Sequence, residues 1–206
     1  MRKVFDKCKK YGISLNPKKS LFAIKEGKLL GHIISKEGVV IDPKRVLAIE
    51  AISLPRNKKE IQTFLRKINF LRRFIPNHVE IVKDITDMLK KYHEVKWIVR
   101  ERNSFMQIKK VISEAPILAS PNYSKPFSIF SFASNTTLDV VLLQKNDDED
   151  DQPIAFFNKV MRDVELKYDI IEKQAYALVQ ALKAFRTYVL HSPITAYAPI
   201  MLQRLS

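Results

Sequence analysis

The spacing of apolar residues along this chain changes at a stretch that contains Pro116 and Pro121. Before it, apolar residues recur mostly every three or four positions, which predicts helices. After it, short apolar runs separated by turn residues predict strands. Because proline interrupts both helices and central strands, we interpret residues 115–125 as a linker between two units.

The first unit is predicted to begin with a helix followed by antiparallel hairpins. Residues 1–11 have helical spacing, and Gly12 can end that helix because glycine accepts the left-handed conformation. Three short apolar runs follow, and the glycine turns between them are typical of hairpins. The runs cover residues 21–24, 29–35 and 39–41.

Helices are predicted for the rest of the first unit. Asp42-Pro43 can cap a short helix that runs to about Ser53, and Asn57 can cap a longer one that Pro76 ends. The buried stripe expected for the longer helix is Ile61, Phe64, Leu65, Ile68, Leu71 and Ile75. Its opposite face is expected to carry Lys59, Arg66 and Arg73, which are seven residues apart. Two more helices are expected at residues 79–90 and 100–114.

The second unit is predicted to be a small sheet with one long helix. Its strand-like runs cover residues 126–132, 138–144, 153–158 and 194–197. The helix is expected at residues 164–189, with a core stripe of Ile171, Ala175, Leu178, Leu182, Phe185 and Val189. The acidic run 147–151 is expected to be a solvated hairpin tip. The whole chain is therefore expected to have an α+β fold.

Basic residues are concentrated in the first part of the chain. The chain has 36 Lys and Arg against 22 Asp and Glu. Residues 1–120 hold 27 basic and 12 acidic residues, a net charge of +15, whereas residues 121–206 have a net charge of −1. Such an asymmetry favours a polyanionic partner for the first part, with nucleic acid ahead of an anionic membrane surface. A merely solvated, highly soluble surface is the alternative.

Several classes of protein are excluded by the composition. The single cysteine, Cys8, excludes a disulfide scaffold and a cysteine-only zinc site. The basic N-terminus has no apolar run after it, so it is not a signal peptide. The uncharged stretch near the end is interrupted by Pro193 and Pro199, so it does not span a bilayer. We therefore expect an intracellular protein, cytoplasmic or nuclear, that has no membrane partner.

Segments of the chain resemble, in the same order, the reverse transcriptase of gypsy-type LTR retrotransposons, most closely those of plants. Residues 10–19 and 29–35 resemble the end of the palm, and residues 61–76 resemble the thumb. Residues 96–97 and 115–118 resemble the connection. Four further segments resemble the RNase H domain; they are residues 126–127, 141–144, 153–157 and 172–178.

This resemblance implies a division of the chain into four parts. Residues 1–41 would be the end of the palm with its primer-grip hairpin, and residues 42–114 the thumb and connection helices. Residues 115–125 would be the linker, and residues 126–206 a truncated RNase H-like domain.

The resemblance implies nucleic-acid contacts, and no polymerase chemistry, for the first half. The family holds two Mg²⁺ ions with a Tyr-x-Asp-Asp turn, and no adjacent Asp pair occurs before residue 147. The residues implied to contact nucleic acid are Leu30, Gly31 and His32 in the primer grip, and Lys59, Arg66, Arg72 and Arg73 in the thumb. Alternatively, His32 is an ordinary strand residue and the cations are a solvated helix face.

At one of these positions the sequence departs from the family. Arg66 stands where the family has a glycine. Its bulk is expected to affect close helix packing or the approach of nucleic acid.

The resemblance also implies where an RNase H would hold Mg²⁺, and the carboxylates are missing there. The first position is Phe132, which has no oxygen for a hard cation. The second is Gln174, whose amide is neutral, and the third is Tyr197. Asp139 stands where the family has a glycine, which we interpret as a damaging substitution because strand glycines mark close packing. We therefore expect no metal site and no cofactor, although the family uses Mg²⁺.

Three functions remain open from the sequence. The first is a retrotransposon-derived, catalytically inactive fragment that binds an RNA–DNA hybrid or duplex DNA without sequence preference. Its other partners would be segments of the same polyprotein. The second is an active RNA–DNA hybrid ribonuclease, and the third is a pseudogene product with no selected function.

Overall fold

The computed structural model describes residues 2–22, 24–190 and 192–199. The chain begins with helix α1 (Arg2–Lys10), as predicted, and Gly12 follows it with a φ of +64°. No residue of α1 is buried. The run predicted as a strand at residues 21–24 forms no strand in its described part, and Ala23 lies outside the described residues.

A small antiparallel sheet follows, with strand order β1-β2-β3. The strands are β1 (Gly27–Leu29), β2 (His32–Ile34) and β3 (Val39–Ile41). The prediction of one continuous strand run over residues 29–35 was wrong, because Leu29 pairs with His32 across a two-residue turn. That turn divides the run into β1 and β2.

A helical bundle of five helices continues the chain. The helices are α2 (Pro43–Glu50), α3 (Lys58–Asn69), α4 (His78–Ile81), α5 (Lys83–Asp87) and α6 (Val99–Ser113). Both predicted caps are present: Asp42 accepts from the Lys44 N–H at 3.1 Å, and Asn57 accepts from the Glu60 N–H at 2.9 Å. These side chains satisfy N–H groups that have no partner within the helix.

The longer predicted helix ends earlier than expected, at Asn69. A 3₁₀ turn at Arg72–Phe74 follows it. In a 3₁₀ turn, side chains three positions apart lie above one another. The tighter turn therefore directs both Leu71 and Phe74, which are fully buried, into the same core. The helix predicted over residues 79–90 is likewise divided into α4 and α5.

The core of the bundle extends into the stretch that was interpreted as a linker. Leu118 is fully buried in this core, and its backbone exchanges hydrogen bonds with Val39 of β3 at 2.7 and 3.0 Å. Within this stretch, Leu118 ties the first sheet to the bundle, whereas Ala119 donates to the Pro153 carbonyl of the second sheet.

The second sheet has strand order β6-β5-β4-β7. Its strands are β4 (Phe127–Ala133), β5 (Thr137–Lys145), β6 (Asp151–Val160) and β7 (Ile194–Tyr197). β4, β5 and β6 are antiparallel neighbours, and β7 runs parallel to β4. Helix α7 (Ile170–Ala184) packs on this sheet and is followed by α8 (Arg186–Val189). The helix was predicted to begin at Val164, but residues 163–167 form a 3₁₀ turn and Asp169 caps α7.

The predicted stripe of α7 is confirmed in part, since Phe185 is buried and Leu178, Leu182 and Val189 pack against the core of the second sheet. Lys173, Gln174, Ala177 and Ala181 are buried, whereas Ile171 is 63 % exposed. The small alanines let the helix approach the strands closely.

The bundle and the second sheet are joined by specific contacts. The Asn158 Nδ2 donates to the Ile75 carbonyl at 3.2 Å, and Phe156 packs against the core of the bundle. The Arg73 guanidinium donates to the Tyr188 hydroxyl at 3.4 Å. These contacts fix the two parts against one another.

Within the part of the chain that the structure describes, no helix has both the length and the apolar content needed to cross a bilayer.

Candidate nucleic-acid interface

The turn between β1 and β2 projects two of the predicted contact residues. Leu30 and Gly31 have φ values of +50° and +78°, as a two-residue type I′ turn requires. Leu30 is 72 % exposed. A Cβ at Gly31 would lie 2.1 Å from the Arg45 Nη1, so glycine is needed here for both conformation and space.

A stack of aromatic and cationic side chains fastens this turn to the end of α3. The Arg45 Nη1 donates to the Leu30 carbonyl at 3.1 Å, and its guanidinium lies 4.5 Å from the Phe70 ring centroid. The imidazole of His32 stacks on Phe70 at 5.4 Å and meets Phe74 at 5.1 Å. Cation–π contacts and ring stacking each contribute to such an assembly.

His32 is uncharged near neutral pH because of its position in this stack. Burial lowers its pKa, and the nearby charges of Arg73 and Arg45 lower it further. Its Nδ1 is buried and has no hydrogen-bond partner among the described residues. Therefore His32 contributes to the hairpin through its ring packing, in surroundings that lower its pKa.

Three of the predicted cations of the bundle are exposed to solvent. Lys59 and Arg66 lie on α3 and Arg72 lies in the 3₁₀ turn, and all three are exposed. None of them forms an ion pair or a side-chain hydrogen bond within residues 2–22, 24–190 and 192–199. Arg66 points away from the core, so its bulk does not disturb the packing of α3. Such unpaired cations are suited to phosphate contacts.

Arg73 does not share the exposed face on which it was predicted. Because α3 ends at Asn69, the seven-residue spacing from Arg66 no longer places Arg73 on the same side. Its guanidinium is half-buried between the bundle and Tyr188, and its Nε has no hydrogen-bond partner in the described chain. Its position indicates a role in joining the two parts, beside the nucleic-acid role that was predicted.

Two of the positions implied for metal binding carry aromatic rings. Phe132 lies on the face of β4 turned away from α7 and is 51 % exposed. Tyr197 pairs with Phe130, two residues from Phe132, and stacks on the Phe130 ring at 4.5 Å. Phe132 and Tyr197 line a cavity of about 650 Å³, to which Asp139 contributes the one carboxylate among the described lining residues.

The second implied position, Gln174, lies on the other side of the sheet. Its side chain is buried between α7 and β4, where it hydrogen-bonds both the N–H and the carbonyl of Ala133. The amide is thus engaged with protein on both of its polar atoms. Gln174 and Phe132 do not converge on one point.

Asp139 lies on β5 between Phe132 and Asn158, its partners on the neighbouring strands. Burial, together with the nearby Glu80 charge, raises the pKa of Asp139 to about 6. Hydrogen bonds from the Thr137 hydroxyl and the Asn77 backbone oppose this shift. The Oδ1 of Asp139 is buried with no hydrogen-bond partner in the described chain. This agrees with the interpretation that a carboxylate is poorly accommodated here.

The residues at the implied metal positions do not fit Mg²⁺, which requires oxygen ligands that converge. Phe132 supplies no ligand atom, and the Gln174 amide is engaged elsewhere. Within the described residues no three His, Cys, Asp or Glu side chains lie close enough together to hold a metal ion.

Two important residues of this region were missed in the sequence. Arg45 and Phe70 hold the hairpin turn; Arg45 stands in no motif, and Phe70 lies in the thumb-like segment 61–76 but was assigned no role there. Arg45 had a weak signal, because it lies in the first turn of the helix capped by Asp42. Phe70 had none, since its role depends on where α3 ends.

Comparisons with known proteins place these features in context. Residues 97–196 match the family described as the RNase H-like domain found in reverse transcriptase. The chain is 37 % identical over 188 residues to a retrovirus-related Pol polyprotein from transposon 297 of Drosophila melanogaster, covering 91 % of this chain and 17 % of that protein. It is 28 % identical to the transposon Tf2-3 polyprotein of Schizosaccharomyces pombe, with 92 % of this chain and 14 % of that protein covered. The chain thus spans less than a fifth of these relatives.

Solved structures share the fold of nearly the whole chain. A foamy viral protease-reverse transcriptase dRH in complex with dsDNA superposes with a TM-score of 0.75 at 27 % identity, covering 98 % of this chain and 36 % of that one. A foamy viral protease-reverse transcriptase in complex with an RNA/DNA hybrid has a TM-score of 0.74 at 28 % identity, covering 91 % of this chain and 25 % of that one.

Proposed function

Because the chain contains an RNase H-like domain of the kind found in reverse transcriptases, we propose that it binds nucleic-acid duplexes without cleaving them. The ligand is an RNA–DNA hybrid or duplex DNA, and the contacts come from the basic first half of the chain. The same proposal assigns the chain to gypsy-type, plant-like retrotransposons, and the sequence segments that resemble their reverse transcriptases support this assignment. It also includes other segments of the same polyprotein as partners.

The observation that carries the binding proposal is the set of unpaired, exposed cations on α3 and the 3₁₀ turn that follows it. Lys59, Arg66 and Arg72 are exposed and free of carboxylate partners in the described chain. A carboxylate partner would compete with a phosphate, so its lack favours contact with the nucleic-acid backbone. The structural neighbours bind dsDNA and an RNA/DNA hybrid, which supports the same class of ligand here.

Two observations support the lack of cleavage. Phe132 has no atom that can bind Mg²⁺, and Gln174 is held by the Ala133 backbone. The surface where the family holds carboxylates is instead formed partly by aromatic rings. Contacts with phosphates alone position a duplex without reading its sequence, so we expect little sequence preference.

The salt dependence of binding tests this proposal. If about five phosphates are contacted, log affinity falls with log salt with a slope of about −4 to −5. Replacing Lys59, Arg66 and Arg72 together by alanine should make the slope shallower by about 2 to 3, because three contacts are lost. The matched control replaces Lys167, Lys183 and Arg186, three exposed cations of the RNase H-like unit. An equal effect of both triple variants, or a slope near zero in the parent chain, would contradict the proposal.

A further inference from the structure

A groove separates the helical bundle from the edge of the second sheet. Its cavity has a volume of about 640 Å³, within the range of sites that bind small molecules. Most of its wall is apolar. The apolar side chains come from both sides of the junction; they are Leu65, Val79, Val82, Val160, Met161 and Leu166.

Cations surround this apolar groove. Arg72, Lys83, Lys90 and Arg162 all line it, against one carboxylate, Asp87. Asp87 pairs with Lys90 at 2.8 Å. Arg72 and Arg162 form no ion pair within the residues that the structure describes. The groove therefore combines an apolar wall with an excess of positive charge, which complements a ligand with an apolar body and an anionic group.

One buried side chain in the groove has polar atoms that lack hydrogen-bond partners within the described residues. His78 is 5 % exposed, and neither of its ring nitrogens has a hydrogen-bond partner among the described residues. Burial and the charge of Arg72 lower its pKa to about 4, so the ring is neutral near neutral pH. A neutral imidazole has one donor and one acceptor. A polar group of a ligand in the groove would therefore give one of these nitrogens a hydrogen-bond partner.

We propose that this groove receives one unpaired nucleotide of the bound nucleic-acid strand. The base lies against the apolar wall, and one polar group on its edge hydrogen-bonds one ring nitrogen of His78. The phosphate lies between Arg72 and Arg162. A second cavity of about 570 Å³ shares these two arginines and extends the groove along β6. Because Arg72 also belongs to the proposed duplex-binding surface, the inference rests on the proposed function.

The experiment compares a blunt duplex with a duplex that carries three unpaired nucleotides at one end. We expect the parent chain to bind the second about fivefold to tenfold more tightly, the gain from one or two additional hydrogen bonds. His78→Phe and Arg162→Ala should each remove most of that preference and leave the affinity for the blunt duplex within about twofold. His78→Phe keeps the ring volume and removes the buried polar atoms, so the variant is expected to fold.

Lys183→Ala is the matched control, because Lys183 is an exposed cation on α7 outside the groove. It should retain the preference for the unpaired end. Free adenosine monophosphate should abolish the preference in the parent chain, whereas inorganic phosphate at the same concentration should not.

Three results would overturn the inference. They are equal affinity for both duplexes, a preference that His78→Phe and Arg162→Ala leave intact, and equal competition by inorganic phosphate. The affinity for the blunt duplex separates these results from failure of the proposed function, which would abolish binding of both duplexes.

Discussion

Gln174 on α7 bonds the backbone of Ala133 on β4 at both of its polar groups. The Gln174 Oε1 accepts from the Ala133 N–H at 3.0 Å, and the Gln174 Nε2 donates to the Ala133 carbonyl at 3.1 Å. A carboxylate could make the first bond only, because it has no hydrogen to donate. Its second oxygen would instead repel the Ala133 carbonyl. The position thus functions here as a bridge between helix and strand.

The first prediction follows from this bridge. Gln174→Glu should lower the free energy of unfolding by about 1–3 kcal/mol at neutral pH, since it leaves a buried carbonyl unpaired and adds a buried charge. Chemical denaturation measures the change. Gln180→Glu on the same helix is the control and should change stability by less than about 0.5 kcal/mol. A Gln174→Glu variant as stable as the parent chain would show that the bridge contributes nothing.

The second prediction concerns the buried His78. Its pKa is lowered to about 4, so between about pH 4 and 6.5 the unfolded chain takes up a proton that the folded chain does not. His78 therefore destabilises the fold as pH falls through that range. His78→Phe should remove this loss and raise stability at pH 7 by about 1–3 kcal/mol, because two buried atoms no longer lack partners.

Thermal unfolding between pH 4 and 7 measures the effect of His78→Phe. His93→Phe serves as its control, because His93 is exposed. If the stability gain is the same at pH 4.5 and pH 7, His78 does not titrate as inferred.

The third prediction concerns Asp139, whose effect on the pH dependence of stability is opposite to that of His78. Its pKa is raised to about 6, so between about pH 3.8 and 6 the folded chain holds a proton that the unfolded chain has lost. Stability from this group is therefore lost as pH rises through that window. Asp139→Asn should raise the melting temperature by about 2–4 °C at pH 7.5 and by less at pH 4.

Asp148→Asn, at the exposed hairpin tip, is the control for Asp139→Asn and should have no effect. In the parent chain the opposing effects of His78 and Asp139 overlap between about pH 4 and 6. In each single variant, the change of stability with pH should follow the one of these two groups that remains. A lower melting temperature for Asp139→Asn at pH 7.5 would contradict the inferred cost of the carboxylate.

The fourth prediction concerns the hairpin turn. Gly31→Ala should destabilise the protein by about 1–3 kcal/mol, because φ is +78° and the added Cβ would displace Arg45. Arg45→Ala removes the obstacle, so the double variant should be less destabilised than the sum of the two single variants. Denaturation of the four proteins in this cycle gives the coupling energy. If the changes in the free energy of unfolding are strictly additive, the Arg45 side chain moves aside at no energetic cost.

Local rules predicted those parts of the fold that depend on neighbours in the sequence. Asp42 and Asn57 were identified as caps because their side chains act on N–H groups two or three residues away. The buried stripe of α3 followed from its period, with Ile61, Phe64 and Ile68 all buried.

Features that depend on distant residues were not predictable in the same way. The turn at Leu30 was missed because leucine rarely takes positive φ, and here Arg45 stabilises it from fifteen residues away. The position of Arg73 depended on where α3 ends, which the buried side chains of the bundle determine. The groove around His78 could not be predicted, because it forms only where the bundle meets the sheet.

The central claim is that this chain binds a nucleic-acid duplex and does not cut it. The most direct measurement incubates the full chain with an end-labelled RNA–DNA hybrid and Mg²⁺ at a low and a high salt concentration, and follows binding and cleavage together. We predict binding that weakens steeply with salt and a hybrid that stays intact at every time point. Mg²⁺-dependent cleavage that a chelator abolishes, or a failure to bind the hybrid at low salt, would contradict the account.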